Sequence, residues 1–455
     1  MKTNKQLWKE ILFGVAVADA IGVPREFTAK KKMKDNPCTD MEGNGTYNLP
    51  MGTWSDDTAL SLCLAEAFTY DGDLPTNTAN LFVQWLYGNL WTPRGTVFDV
   101  GNSTRAAIAR YKKTNIKPEL AGGTDASDNG NGSLMRILPL LMHTKDMPVS
   151  DRFEWTKKIS SITHAHIRSV IGCFYYLEYA RLLISGQNKY EAYKNLQGTL
   201  PGYLKNIQGI EESELQHYDR LFNKTITDFE ESEIFGNGYV VNSLEAAMWC
   251  FLKGRSYREV VLLAVNLGED TDTTAAIAGG LAALHYEYED IPAEWLKNLA
   301  RKDDIDNLID ELVPFKQYNY TPEIISALEE WEVFVFGSNS LGEHFGGAAR
   351  VAHRNFGAIW GEGEGLFGQS YAFPTLSRAS TVTGPTDKEV LQGADLEISF
   401  KNFFDTIELY PEKQFLFTKV GTGIAGIPIE TIKNLFHQFY KPKKHKNITF
   451  PVEFK

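Results

Sequence analysis

The sequence predicts a multidomain chain, a largely all-α domain over residues 1–318 followed by a small α/β domain over 330–455, with a connector at 319–329. Three observations predict this. At 455 residues the chain is longer than a single hydrophobic core usually supports. As far as residue 318, apolar residues recur at helical spacing and alternating extended runs are scarce. Beyond Pro314, Phe315, Lys316, Gln317 and Tyr318 the pattern changes, and β-rich runs at 331–336 and 414–420 each end in a glycine loop.

Taken in order, Leu7, Ile11, Phe13, Val15 and Val17 predict a helix over 6–20 that stops at Gly22, Val23 and Pro24. Residues 36–51 are rich in Gly, Asn and Pro and predict a loop. Helical spacing then predicts helices at 57–70, 77–88, 103–111, 132–142, 153–160, 166–184, 189–196, 240–252, 256–265 and 273–286. In the second domain a strand over 331–336 is closed by Gly337, Ser338 and Asn339, followed by a helix at 347–355 and a strand at 370–373. A helix at 391–407 leads to the strand ending at Gly421, Thr422 and Gly423. Loops of this kind lie beyond strand ends, where open α/β sheets bind ligands.

Composition narrows the function. Hydrophobic residues at 43% indicate folded protein throughout, and a net charge of -12 argues against an extended nucleic-acid surface. The lysines at 441, 443, 444 and 446 read as a solvated tail. Cys38, Cys63, Cys173 and Cys250 lack the spacing of a zinc site or a disulfide framework, which fits a reducing, cytoplasmic setting. Neither a signal segment nor a membrane span is expected, and no heptad pattern speaks for an oligomeric state.

Two acidic-hydroxyl clusters carry the chemistry. Ser55, Asp56, Asp57 and Thr58, and Asp270, Thr271, Asp272 and Thr273, each open an apolar helical stretch. Helix capping accounts for one carboxylate per cluster and leaves the second without a reason. A shared cation would compensate both, and these hard oxygen donors suit Mg²⁺, Mn²⁺ or Ca²⁺. Gly130, Asn131, Gly132 and Ser133 read as permissive backbone at a helix start, able to hold an anion. Arg136 can join them or make a structural salt bridge, and His164 and His166, two apart, share no helix face. In the second domain Asn339 caps its loop or recognises ribose hydroxyls, and the loop 421–426 can wrap a diphosphate.

The motifs around Asp19 and Glu26, at 52–58, at 130–136, at Thr163 and His164, and at 268–276 resemble, in order, the ADP-ribosylglycohydrolase family related to dinitrogenase reductase-activating glycohydrolase. This resemblance covers most of residues 8–290. It implies an all-helical hydrolase holding two Mg²⁺ or Mn²⁺ ions and cleaving the glycosidic bond of an ADP-ribosyl group. Matched position by position, the metal ligands would be Ser55, Asp56, Asp57, Asp270, Asp272 and Thr273, and the catalytic set Glu26, Asp57 and Asp270. Asn131, Gly132, Ser133, Met135, Arg136 and His164 would border the ADP-ribose. The chain departs from the family at Ser55, where most relatives carry Thr, and at Glu269, where Gly or Asp is usual.

Residues 330–440 resemble a divergent macro domain, through Asn339, Gly346, Gly347 and the loop Gly421, Thr422, Gly423, Ile424, Ala425 and Gly426. The tract 358–375 is similar to macro-like proteins of bacteria and phages. That resemblance implies an ADP-ribose-binding or second hydrolase module. The expected function is release of ADP-ribose from a protein, nucleic acid or small molecule. A non-catalytic ADP-ribose reader or scaffold, and a hydrolase of another N-ribosyl compound, are the alternatives; the four retained carboxylates favour an enzyme.

Overall fold

A helix that is apolar on every side is stable only inside a core, and the first unit is built about two of them. The computed structural model describes residues 2–114, 116–313, 320–329, 331–378 and 390–455. The chain divides into two units, Met1–Val313 and Pro314–Lys455. The expected boundary at 314–318, residue 319 of the expected connector and residue 330, which opens the expected second domain, lie outside the described residues.

In the first unit α1 (Asn4–Gly22), α2 (Asp56–Glu66), α3 (Ile167–Ile184), α4 (Val240–Lys253), α5 (Tyr257–Asn266) and α6 (Thr271–Tyr286) surround the core. α1 is buried almost continuously from Leu7 to Gly22, and α6 from Thr271 to Leu284. They pack closely because the facing positions are small. A methyl group added at Gly279 would stand 2.4 Å from the Ala18 Cβ and 2.6 Å from the Gly14 carbonyl oxygen. The same contact runs on to Gly22, where an added Cβ would stand 2.3 Å from the Cα of Asp272. Apolar packing of α1 on α6 thereby fixes the backbone that carries the second acidic cluster.

The second unit holds β1 (Glu332–Asn339), α7 (Gly347–Asn355), β2 (Gly365–Phe367), β3 (Ser370–Leu376), α8 (Ala394–Leu409), β4 (Gln414–Phe417), α9 (Ile429–Phe439) and β5 (Ile448–Thr449). The strand order is β2-β3-β1-β4-β5, with β1 parallel to β3 and β4, β4 parallel to β5, and β2 antiparallel to β3. Phe334 and Phe336 pack with Ala349, Ala352 and Phe356 on one face, while Val333, Val335, Phe373 and Phe417 pack with Phe403 and Phe436 on the other. Cover on both faces is what a mostly parallel sheet requires.

Several expectations need correction. The helix expected at 132–142 is a series of turns followed by short helices at Leu138–Leu140 and Leu141–Thr144, because the chain just before it is held elsewhere, Gly130 bridging to Tyr239 and the Asn131 N–H donating to the Gly238 carbonyl. The helix expected to end at 196 continues to Asn206, since Leu196, Leu200 and Leu204 keep one apolar face buried through Pro201. The connector expected up to 329 is packed on the second unit: the Thr321 N–H donates to the Phe450 carbonyl at 2.9 Å, and Ile325 and Leu328 pack against Phe334, Phe336 and their neighbours.

Gly279→Ala is expected to cost about 1–3 kcal/mol, because the added methyl meets fixed backbone rather than a flexible side chain. Urea denaturation of wild type and variant measures it.

Candidate active site

The two acidic clusters meet. Thr273 Oγ1 lies 3.2 Å from Asp57 Oδ2, across 216 positions of sequence. Asp56, Asp57, Asp272 and Thr273 are at most 5% exposed. Glu26, Asp270 and Asp272 present carboxylate oxygens that all lie within 4.8 Å of one another.

Capping does not explain these acids, because other groups do the capping. Ser55 Oγ accepts the Asp57 N–H at 3.3 Å. The buried Asp19 carboxylate, reaching over from α1, accepts the Ser55 N–H at 2.9 and 3.0 Å, the Thr58 N–H at 3.0 Å and the Thr58 hydroxyl at 2.6 Å. Asp19 therefore closes the start of α2 and leaves Asp56 and Asp57 to point elsewhere. Asp270 occupies the N-cap position of α6 but makes no capping bond. Its Oδ2 instead accepts from the Asn131 amide at 2.8 Å.

Electrostatics describe the same demand. Burial, then the charges of Asp99 and Asp57, push Asp56 well above its ordinary range. Burial and Asp19 do the same to Asp57, and burial with Glu26 to Asp272. Asp270 is also raised by burial, opposed chiefly by the bond from Asn131. Burial raises Asp19 to about 7; burial and Asp99 raise Glu26 to about 9. Glu26 Oε2, Asp57 Oδ1 and Asp272 Oδ2 are buried without a hydrogen-bond partner. A buried anionic oxygen with no donor is costly unless a cation sits beside it. The donor set is all hard oxygen, and it fits a hard divalent ion.

The loop that carries the second cluster is held by backbone in the left-handed region. Gly268 has φ +78° and Glu269 φ +65°, while Phe27 across from them has φ +60°. The Phe27 N–H donates to the Glu269 carbonyl at 2.7 Å and the Glu269 N–H to Thr28 at 2.8 Å. Position 269 thus suits Gly or Asp, and Glu269 adopts the conformation at a cost in strain. This clasp brings Glu26 beside Asp270.

Asn131 joins the site through its side chain; its N–H is already donated to the Gly238 carbonyl at 3.0 Å. No helix begins at Gly132 and Ser133, so the expected helix start is absent there, while the N–H groups of both residues donate to no acceptor among the described residues. Ser133 is fully buried, and its hydroxyl contacts Ser160 Oγ at 2.9 Å and Cys173 Sγ at 3.4 Å. Met135 belongs to the core. Arg136 is fully buried, donates to the Ile159 carbonyl and Thr163 Oγ1, and lies 4.6 Å from the Phe82 ring centroid; it braces the wall instead of facing a ligand. His164 lies against Gly132, where an added Cβ would be 2.8 Å from its Cε1. Burial and the Arg136 charge lower it to about 3, so its ring stays neutral. His166 accepts the Arg168 N–H at the start of α3.

Sequence reading missed Asp19 as the organiser of α2, and it missed Asp99 altogether. Asp99 acts on Glu26, Asp56, Asp57, Asp270 and Asp272. Its signal is weak: a single acid at φ +47° in a loop, without a hydroxyl-acid cluster. The Tyr47 ring lies 5.0 Å from that of Phe98, the residue next to Asp99.

With this geometry in hand, the sequence pattern described as ADP-ribosylglycohydrolase matches residues 3–321. The chain belongs to the ADP-ribosylglycohydrolase family. Membership makes the protein a glycosyl hydrolase. It is 32% identical over 305 residues to the ADP-ribosylarginine hydrolase Tri1 of Serratia proteamaculans, covering 67% of this chain and 78% of that one. It is 30% identical over 294 residues to the ADP-ribosyl-[dinitrogen reductase] glycohydrolase of Rhodospirillum rubrum, covering 64% and 88%. Among solved structures, an ADP-ribosylglycohydrolase-related protein complex superimposes with a TM-score of 0.57 at 28% identity, covering 69% of this chain and 98% of that one. No helix among the described residues of this ADP-ribosylglycohydrolase is long and apolar enough to cross a membrane.

The second unit carries its own cavity, of about 1120 Å³, at the carboxyl ends of β1, β3 and β4. Asn339, Gly346 and Gly347 line it from one side, and Gly421, Thr422, Gly423, Ile424 and Ala425 from the other; Gly426 does not. Asn339 shapes its own loop, accepting from the Leu341 and Glu343 N–H groups and donating to the Glu343 carbonyl.

Metal-free protein and divalent ion should respond to pH in opposite senses. Asp19, near 7, and Glu26, near 9, lie above their unfolded values, so their contribution to stability is full below about pH 4 and is lost as pH rises through 7 and 9. An ion must displace those protons, so the rise in Tm given by Mn²⁺ or Mg²⁺ should grow from pH 6 to pH 8. At a hundredfold excess over Kd that rise corresponds to about 2.7 kcal/mol. Asp272→Asn should abolish most of it. Scanning calorimetry with EDTA and with added ion checks both.

Proposed function

We propose that the first unit is a metal-dependent hydrolase that releases ADP-ribose from an ADP-ribosylated acceptor, with arginine-linked ADP-ribose the first substrate to test. The observation that carries this is the meeting of Asp57 with Thr273 beside Glu26, Asp270 and Asp272, where buried oxygens lack partners. The arginine linkage is suggested by the relative named an ADP-ribosylarginine hydrolase.

In this reading Ser55, Asp56 and Asp57 hold divalent ions from one side, and Asp270, Asp272 and Thr273 from the other. Bound ions would supply positive charge and Lewis acidity to the oxygens of the ribosyl group. Asp19 keeps α2 oriented so that Asp57 faces α6, and Asn131 fixes the rotamer of Asp270. Glu26, raised by burial and by Asp99, can carry a proton at Oε2 near neutral pH. Protonated, it donates to the departing acceptor; ionised, it takes the proton of the attacking water. Cleavage breaks the bond between the anomeric carbon and the acceptor and forms a new bond from that carbon to the water oxygen.

We also propose that the second unit's cavity takes an ADP-ribose-like ligand in the manner of a macro domain. The strand order supports this, because the connections leaving β1 and β4 diverge to opposite sides and leave a cleft between two loops. Among the described residues, the N–H groups of Gly423, Ile424 and Ala425 and those opening α7 at Gly347, Ala348 and Ala349 donate to no acceptor within the chain. Such groups suit phosphate oxygens.

Full-length protein with Mn²⁺ or Mg²⁺ should release ADP-ribose from an arginine-ADP-ribosylated protein, read by chromatography of the product. Asp56→Ala combined with Asp272→Ala should lower the rate by more than roughly a hundredfold, beyond what loss of an outer-shell partner costs. Undiminished turnover in that variant would sink the metal mechanism.

A further inference from the structure

Facing the two glycine loops, the third wall of the second unit's cavity comes from Thr321, Pro322, Glu323, Ile324 and Ile325, the segment expected from sequence to be a bare connector. Thr321 is 9% exposed and is one of the lining residues, while its Oγ1 is itself buried without a hydrogen-bond partner. Lys419 also lines the cavity and is the one lysine or arginine among the described lining residues. Its ammonium lies 3.6 Å from Glu323 and also pairs with Glu453, and both of these acids line the same cavity. Only Val420 separates Lys419 from the glycine loop, and the Thr422 hydroxyl donates to the Lys419 carbonyl at 2.8 Å.

We propose that Lys419 is the cationic anchor for the phosphate groups of the ligand in this cavity, held in reserve by Glu323 and Glu453. Both acids are substantially exposed, so their hold on the lysine is weak. A diphosphate brings more negative charge than either carboxylate and presents it to an ammonium that keeps three donors. The neighbouring loop N–H groups then add to the lysine instead of competing with it. The inference rests on the reading that this cavity takes an ADP-ribose-like ligand, and it goes further by naming the side chain that recognises the charge.

The test uses the full chain carrying Asp56→Ala and Asp272→Ala, which silences the first unit, with metal-stripped wild type as a second background should that variant fold poorly. Titration calorimetry compares ADP-ribose, adenosine 5′-diphosphate and adenosine. Lys419→Met is expected to weaken both diphosphates by about fivefold or more, to leave adenosine unchanged, and to flatten the salt dependence of diphosphate binding. Glu323→Gln combined with Glu453→Gln should act in the opposite direction and tighten the diphosphates. Diphosphate binding that Lys419→Met leaves intact, or a loss of equal size for adenosine, overturns the anchor and leaves the cavity reading standing. Absence of all binding at millimolar ligand overturns both.

Discussion

Asp19, Glu26, Asp56, Asp57, Asp270 and Asp272 are gathered into one region of the first unit, and among the described residues no lysine or arginine forms an ion pair with any of them. Burying like charges together is among the most costly arrangements a fold can adopt. The core supplies what holds it: α1 and α6 are apolar on all sides, meet through glycine and alanine, and place the acidic loop at the end of that contact. Stability is thus concentrated in the helices, and the site at their ends is left short of one charge type. A bound cation would complete it.

The division of labour among the acids follows from this. Asp19 spends its carboxylate on three donors at the start of α2, so the neighbouring acids are excused from capping. Asn131 and Thr273 each give one hydrogen bond to an acid of the site, which orients the carboxylate and leaves other oxygens open. Glu26 reaches the site only because Phe27 and Glu269 accept left-handed backbone on either side of one clasp. Strain tolerated at such a place is typical of functional loops.

The second unit solves a different problem with different means. Its strands are covered on both faces, which leaves the carboxyl ends of β1, β3 and β4 as the open part of the sheet. The glycine loops there present backbone donors, whereas the first site is dominated by acids. In the proposed reading one unit takes cations and ribosyl oxygens and the other takes anions.

By itself the sequence determined the helical character of the first unit, the order β1, α7, β3, α8 and β4 in the second without the short β2 and β5, and the presence of two hydroxyl-acid clusters. Those features are legible because periodicity and local residue type record them directly. It did not show that Ser160 engages the Ser133 hydroxyl or that Thr163 and Phe82 engage Arg136, because nothing local reveals those partners. It was silent on Asp99 and on the capping role of Asp19, since each acts on residues distant in the chain. Only the tertiary structure decided that the clusters touch, that the segment after 320 forms a wall of a cavity, and that Lys419 faces into it. The physical reason is the same in each case: a side chain's chemistry is local, but the charge and solvent it meets are set by elements hundreds of residues away.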